Sequence, residues 1–206
     1  MAGATQMAVN SRIGLTFARG LRTILRSDPD VVMVGEIRDP ETAEIAVRAA
    51  LTGHLVLSSI HTNDAPSALT RLIDMEVPPY ITSSALLGVV AQQLARRLCD
   101  HCRKRVKVAT DVLVQAGFSA KEAAKVKPYE AVGCDRCLKT GYSGRVGLFE
   151  IMRMDDELTK LFLREAPADQ LRALAIEHGM ITLRRDALDK VAAGVTTLDE
   201  VARVVL

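Results

Sequence analysis

Tryptophan is missing from this chain, and aromatic residues of all kinds make up only 3% of its 206 residues. That scarcity argues against the base-stacking platforms used by single-strand nucleic-acid binders. A dominant charge sign is missing too: 27 Lys and Arg face 25 Asp and Glu, a net of +2. A uniformly basic nucleic-acid-binding surface is therefore not expected. No apolar run is long enough to span a bilayer. The nearest, around residues 85–95, is interrupted by Gln92 and Gln93. The start, Met-Ala-Gly-Ala-Thr-Gln, has no basic stretch leading into an apolar core, so it does not read as a signal peptide. A cytosolic chain is expected, and there the four Cys are favoured as thiolate ligands over disulfides. What is present suffices for a buried core: 49% of residues are hydrophobic and 25% charged. The length suits one ordinary domain, or a domain with a small appendage.

Along the chain, Leu15, Ala18, Leu21 and Leu25 recur at spacings of three and four, which predicts an amphipathic helix over 14–27. Asp28-Pro29-Asp30 should stop it, since Pro disfavours helical geometry in the residue before it. Residues 31–34 (VVMV) and 55–60 (LVLSSI) are short apolar runs, expected as strands buried on both faces of a parallel sheet. Between them Asp39 is placed to cap a helix opened by Pro40, with Gly53 as its stop. Helices are expected at 65–74 and 81–97. The last third reads as short helices at 156–164, 167–178, 183–193 and 197–205, with Gly179 and Gly194 at C-terminal caps. This order predicts an α/β fold.

The most specific local signal is Cys99-x2-Cys102, followed at a distance by Cys134-x2-Cys137. Two such pairs supply four thiolates, which match the tetrahedral preference of Zn²⁺ and leave no open position, so the site would be structural. Free thiols or a disulfide are the alternatives. The strand at 31–34 runs into Gly35-Glu36, and an acid at a buried strand's carboxyl end is where a nucleotide-hydrolysing fold holds Mg²⁺. His61 ends the next strand, either as a sensor of phosphate and water or as an ordinary half-buried histidine. Arg22, Arg26 and Arg38 could neutralise phosphate or simply form a solvated face. A phosphate-cradling G-x-x-x-x-G-K-[ST] loop is absent, because none of the 13 glycines is followed by Lys.

Together these segments resemble the motor domain of type II secretion and type IV pilus assembly ATPases. Residues 14–75 carry the resemblance first, and LTGHLVLSSIHTNDA at 51–65 matches the family's His box. The Cys pairs with CLKTGYSGRVGLFEI at 137–151 match its zinc subdomain, and 179–201 its helical end. The resemblance implies a partial RecA-like P-loop NTPase core over 1–98, an inserted tetracysteine zinc subdomain over 99–137, and a return to the core with C-terminal helices over 138–206. It implies Glu36 as the Walker B acid and His61 as the His-box residue. Arg22, Arg26 and Arg38 would line the nucleotide site, with Arg145 reaching it from the far side of the zinc module. Cys99, Cys102, Cys134 and Cys137 would hold structural zinc.

The family's cofactors are ATP and Mg²⁺. Its members act as hexamers in the cytoplasm, peripheral at the inner membrane, on platform proteins that assemble pilins or pseudopilins; nucleic acid is not a partner. Two departures stand out: the Walker A and Asp-box motifs are absent, and Gln92-Gln93-Leu94 stands where the family often has Gln-Arg-Leu. A C-terminal fragment or truncated product is expected, unable to hydrolyse ATP alone. A non-catalytic assembly module is the alternative, and a zinc-ribbon nucleic-acid binder is a third reading against which the near-neutral charge and scarce aromatics argue.

Overall fold

The computed structural model describes residues 3–205; the outermost positions of the expected 1–98 and 138–206 segments, residues 1, 2 and 206, lie outside the described residues. In chain order the regular elements begin with α1 (Phe17–Ile24), β1 (Val31–Val34), α2 (Pro40–Leu51) and β2 (Leu55–Ser58). There follow α3 (Ala65–Asp74), α4 (Pro79–Ala85), β3 (Gly88–Leu98), β4 (Lys104–Arg105), α5 (Thr110–Ala116), α6 (Ala120–Ala123) and β5 (Tyr129–Glu130). The chain closes with β6 (Tyr142–Arg153), α7 (Asp156–Leu163), α8 (Ala168–Glu177), α9 (Leu183–Ala192) and α10 (Leu198–Val205). It divides into two compact units, Met1–Val89 with Arg153–Ala175, and Val90–Met152 with Ile176–Leu206. The tetracysteine segment 99–137 lies wholly in the second unit, whereas 138–206 is shared between both.

In the first unit β1 and β2 pair in parallel, from Val31 opposite Leu55 to Val34 opposite Ser58. Val32 and Val34 point inward and pack with Leu21 of α1, Ala43 and Ala46 of α2, and Met75 and Val77. Asp39 does cap α2, accepting from the Thr42 backbone N–H at 2.8 Å, with Pro40 as first helical residue. Thr16 caps α1 by accepting from Arg19 N–H at 3.2 Å, so the helix begins three residues later than the apolar spacing suggested.

Two expectations are corrected. The strands are not buried on both faces: Val31 and Met33 are 55% and 67% exposed, and Leu55 and Leu57 45% and 50%. One face rests on α1 and α2 and the other is bare, a difference that an unbroken apolar run cannot report. Second, no helix runs over 81–97. α4 ends at Ala85, Leu86 turns extended, and Gly88–Leu98 is strand β3. Its burial alternates, with Val89, Ala91, Gln93 and Ala95 turned further inward than Val90, Gln92 and Leu94. That two-residue period belongs to a strand.

In the second unit β3 pairs with β6, and β4 with β5 in antiparallel register, Lys104 opposite Glu130 and Arg105 opposite Tyr129. Its core gathers Ala95, Leu113, Phe118, Leu148, Ala187 and Val191. Glu200 is fully buried yet charged. It accepts from Arg96 backbone N–H and Nε, both at 2.8 Å, and from Arg203 Nε at 2.9 Å. Arg203, against the opposing burial and with help from Arg96, pulls the Glu200 carboxyl from the ordinary 4.5 to about 2.

Glu200→Ala would leave the Arg96 N–H without its acceptor, while the half-exposed Arg96 and Arg203 side chains turn to water, and should destabilise the second unit by about 1–3 kcal/mol. Native-state hydrogen exchange at the Arg96 and Leu98 amides reads the effect. The pH sign follows from the lowered folded value. The contribution is fully present above 4.5 and is lost as pH falls toward about 2. In the variant that acid-dependent loss should flatten.

Candidate functional site

The carboxyl ends of β1 and β2 are tied together before any charged group is placed. Ser59 Oγ donates to the Gly35 carbonyl at 2.8 Å, and Ile37 N–H donates to the Ser59 carbonyl at 2.9 Å. On this rigid tip stands Glu36, mostly covered by its neighbours. Arg38 reaches one carboxylate oxygen at 2.6 Å, and His61 Nε2 stands 3.1 Å from the other. Arg38, opposed by partial burial and aided by His61, holds the Glu36 carboxyl below its ordinary range. The result is an ionised acid at the tip of a parallel strand, with a guanidinium and an imidazole aimed at it. Both partners are themselves largely exposed, so a small charged ligand can approach the group from solvent.

Three of the residues expected to act together are therefore together: Glu36, Arg38 and His61. Arg22 is instead engaged by Glu41 of α2 at 2.8 Å. Arg26 is exposed just beyond α1 with no ion-pair partner among the described residues. Arg145 is exposed on β6, in the second unit.

A residue that spacing did not single out joins the neighbourhood of His61. Asp64 caps α3 by accepting from Ser67 N–H at 2.9 Å and is held by Arg172 of α8 at 2.7 Å. Burial works against its charge, but Ser67 and Arg172 more than offset that and keep its carboxyl below the usual range. The cap was readable from Asp64-Ala65-Pro66; the partner, 108 residues away in sequence, was not.

The second candidate centre is the four-cysteine cluster. All four sulfurs lie within 4.8 Å of one another. Cys99 and Cys134 sulfurs are 3.9 Å apart, Cys102 and Cys137 3.8 Å, and Cys134 and Cys137 3.7 Å. Four sulfurs around Zn²⁺ at about 2.3 Å each, at the corners of a tetrahedron, would stand about 3.8 Å apart. The donor set and spacing fit that ion, and all four cysteines are free.

The turns around the cluster are built for close approach. At Gly141 (φ 77°) an added Cβ would meet Ala131 at 2.6 Å, and at Gly133 (φ 100°) the Lys139 carbonyl oxygen at 2.5 Å. These turns aim backbone N–H groups at sulfur: Cys134 and Gly141 each donate to Cys137 Sγ at 3.2 Å. Burial opposes charge on Cys137, but those two donors outweigh it and bring the thiol down to about 6. Burial dominates at Cys102 and, with the neighbouring thiols, pushes it up to about 12.

With the strand-tip acid and the sulfur cluster placed, comparison with known proteins is decisive. The family model for "Type II/IV secretion system protein" matches residues 1–203. The chain belongs to this family. It is 49% identical over 199 residues to the type IV pilus assembly ATPase PilB of Thermus thermophilus, covering 97% of this chain and 22% of that protein. It is 50% identical over 202 residues to the type II secretion system ATPase E of Vibrio cholerae, covering 98% of this chain and 40% of that one. The chain thus spans well under half the length of either relative.

Among solved structures, the pilus retraction motor PilT with bound ADP superposes with a TM-score of 0.62 at 26% identity, covering 91% of this chain and 43% of PilT. The fold is accordingly that of part of a RecA-like secretion motor. No helix among the described residues is long and apolar enough to cross a membrane.

Proposed function

We propose that this chain is the acid-bearing portion of a secretion or pilus-assembly ATPase. In this reading it works within a hexamer on the cytoplasmic side, peripheral to the inner membrane, where platform proteins couple ATP hydrolysis to pilin or pseudopilin assembly. The observation that carries the reading is the Glu36–Arg38–His61 group at the tip of β1 and β2, in a chain about half identical to two such ATPases.

Glu36, kept ionised by Arg38, offers a carboxylate oxygen to the proton of an attacking water or to the water shell of Mg²⁺. His61 fixes the second oxygen and so orients the first. Mg²⁺–ATP, when bound, supplies the phosphoryl group and shields its charge. Arg22 and Arg26, close in sequence to this strand tip, are the cations that the phosphates would recruit; Arg145, on β6, is the further arginine that the family resemblance assigns to nucleotide binding. Recruitment of Arg22 would require it to leave Glu41, a partner exposed enough to hold it only weakly. The four cysteines would hold a structural Zn²⁺ that organises the second unit.

The 206-residue polypeptide expressed by itself should neither bind nor hydrolyse ATP appreciably, because its glycines supply no backbone phosphate cradle with a following Lys. Fused in frame behind the P-loop-bearing segment of a relative such as PilB, it should gain activity. In that fusion Glu36→Gln should lower kcat by about a hundredfold or more. An active fusion indifferent to Glu36→Gln would overturn the assignment. So would micromolar ATP affinity of the unfused chain, measured by calorimetry and lost on Glu36→Gln.

A further inference from the structure

The near-neutral charge of the chain conceals a strong asymmetry. Residues 96–145 carry twelve Lys and Arg against five Asp and Glu, while the rest carries fifteen against twenty. Part of this positive charge converges on a cleft of about 620 Å³ in the second unit, well away in sequence from Glu36 and His61. Phe118, Val126, Ala192 and Ala193 give it an apolar lining. Arg105, Lys125 and Lys127 line it as well, with Glu122 as the one carboxylate among its lining residues. None of these three has an acidic ion-pair partner among the described residues, and Arg105 donates only to the Tyr129 hydroxyl, at 3.0 Å. Arg185 also lines the cleft, but Glu122 and Asp189 each hold it at 2.6 Å, so it adds little net charge.

One wall is set in place before any ligand arrives. Tyr129 lies under the guanidinium groups of Arg103 and Arg105, at 5.1 and 5.6 Å from the ring centroid. Its ring stands 2.7 Å from where a Cβ on Gly194 would be, and the Gly194 carbonyl accepts from Arg103. Only glycine at that position lets the ring close the wall.

Unpaired cations beside apolar side chains in a water-accessible cleft are attractive to an anion with an organic body. The volume is in the range that takes a small molecule. Phosphate esters meet both requirements, since Lys and Arg bind phosphate oxygens through charge-assisted hydrogen bonds. We propose that this cleft binds a phosphate ester through Arg105, Lys125 and Lys127, with the ester's organic part against the apolar lining of Phe118, Val126 and Ala192. The chemistry is shared by soluble phosphate esters and by the headgroups of anionic phospholipids. It involves none of the residues assigned to the nucleotide site around Glu36.

The test uses the zinc-loaded 206-residue chain, followed by backbone amide NMR at constant ionic strength. Soluble probes are sn-glycerol 3-phosphate and inorganic phosphate, with chloride as the ionic-strength control. Vesicle probes are phosphatidylglycerol in phosphatidylcholine, and phosphatidylcholine alone, read by co-sedimentation. Saturable shifts centred on residues 118–129 and 192–193 with glycerol 3-phosphate, stronger than with inorganic phosphate, are expected for a soluble ester. Sedimentation with the anionic vesicles alone assigns the source to a lipid headgroup.

In either arm the double variant Lys125→Ala with Lys127→Ala should weaken binding by about tenfold or more. A charge-matched control, Lys160→Ala with Arg164→Ala in the first unit, should leave it unchanged. The double variant's unperturbed spectrum elsewhere shows that it is folded. The proposal is overturned if neither probe class binds, if both double variants weaken binding equally, or if only a single-stranded oligonucleotide binds.

Discussion

Stripping metal from this chain with a strong zinc chelator is expected to release about one zinc per chain and to abolish amide protection beside the sulfurs, at residues 99–105 and 129–141. Little else holds these two stretches, whose strands β4 and β5 are two residues each. The residues between them are anchored in the second unit's core through Leu113, Phe118 and Ala123 and should keep more of their protection. Residues 134–141 fold through N–H donation to sulfur and through left-handed turns at Leu138 and Lys139. A left-handed turn at a non-glycine residue is a conformation that needs external support.

Structural zinc contributes on the order of 10–16 kcal/mol of binding free energy that is at the same time folding free energy. Divided over four ligands, one sulfur is worth roughly 2.5–4 kcal/mol, so Cys134→Ser should weaken zinc by two to three orders of magnitude. Protection of α9, which shares a core with Leu113, Leu148 and Val201, should fall less than that of 129–141. Elemental analysis finding no zinc in chelator-free protein, with four titratable thiols and unchanged exchange at Gly141, would remove the cluster from the list of metal sites.

What could be read from the sequence was local chemistry whose partner lies a few residues away. The Asp39–Pro40 start of α2 satisfies its own backbone within three residues, and Gly179 and Gly194 take the positive φ that follows a helix. The repeated x2 spacing brought two sulfurs of each pair to one side, and the fold then brought the pairs together. Glu36 was legible because a strand tip needs only the strand and the next residue.

What was hidden depends on distant packing. β3 was expected as helix because Ala85, Leu86, Val89, Val90 and Leu94 fit either period once the exposed face of the strand is itself apolar. Glu200 gave no signal at all: its partner Arg96 lies 104 residues away, and a Glu in the first turn of a helix ordinarily faces water. Arg22 fits phosphate neutralisation by type and spacing, but the side chain's actual partner, Glu41, depends on how α1 lies against α2. Sequence patterns name the candidates for a charged site; only the packed elements decide which of them meet.

The chain should self-associate through β2, and a single lysine should suppress it. β2 is hydrogen-bonded to β1 along one side, and on the other no strand pairs with it among the described residues. Its sequence, LVLS, has neither charge nor proline, the two devices that protect an open edge. Leu55 and Leu57 are about half exposed on its outer face. The N-terminal residues 3–10 do not shield it: they are exposed, and their one bridge runs from Asn10 to Leu15.

Two copies meeting at this edge would cover Leu57 twice by symmetry. At about 1.5 kcal/mol per leucine withdrawn from water, Leu57→Lys should weaken the association by about two orders of magnitude. The substitution sits on the bare face, so the fold itself should change by no more than about 0.5 kcal/mol. Sedimentation velocity over a wide concentration range measures both proteins. Co-expressing the P-loop segment of a relative as a separate polypeptide should have the same effect as the lysine, by supplying the missing neighbour strand, and should slow hydrogen exchange at residues 55–58. A chain that is monomeric at every concentration, with exchange at 55–58 unaffected by that segment, would mean that the edge is already protected from within and that β2 does not await a partner strand.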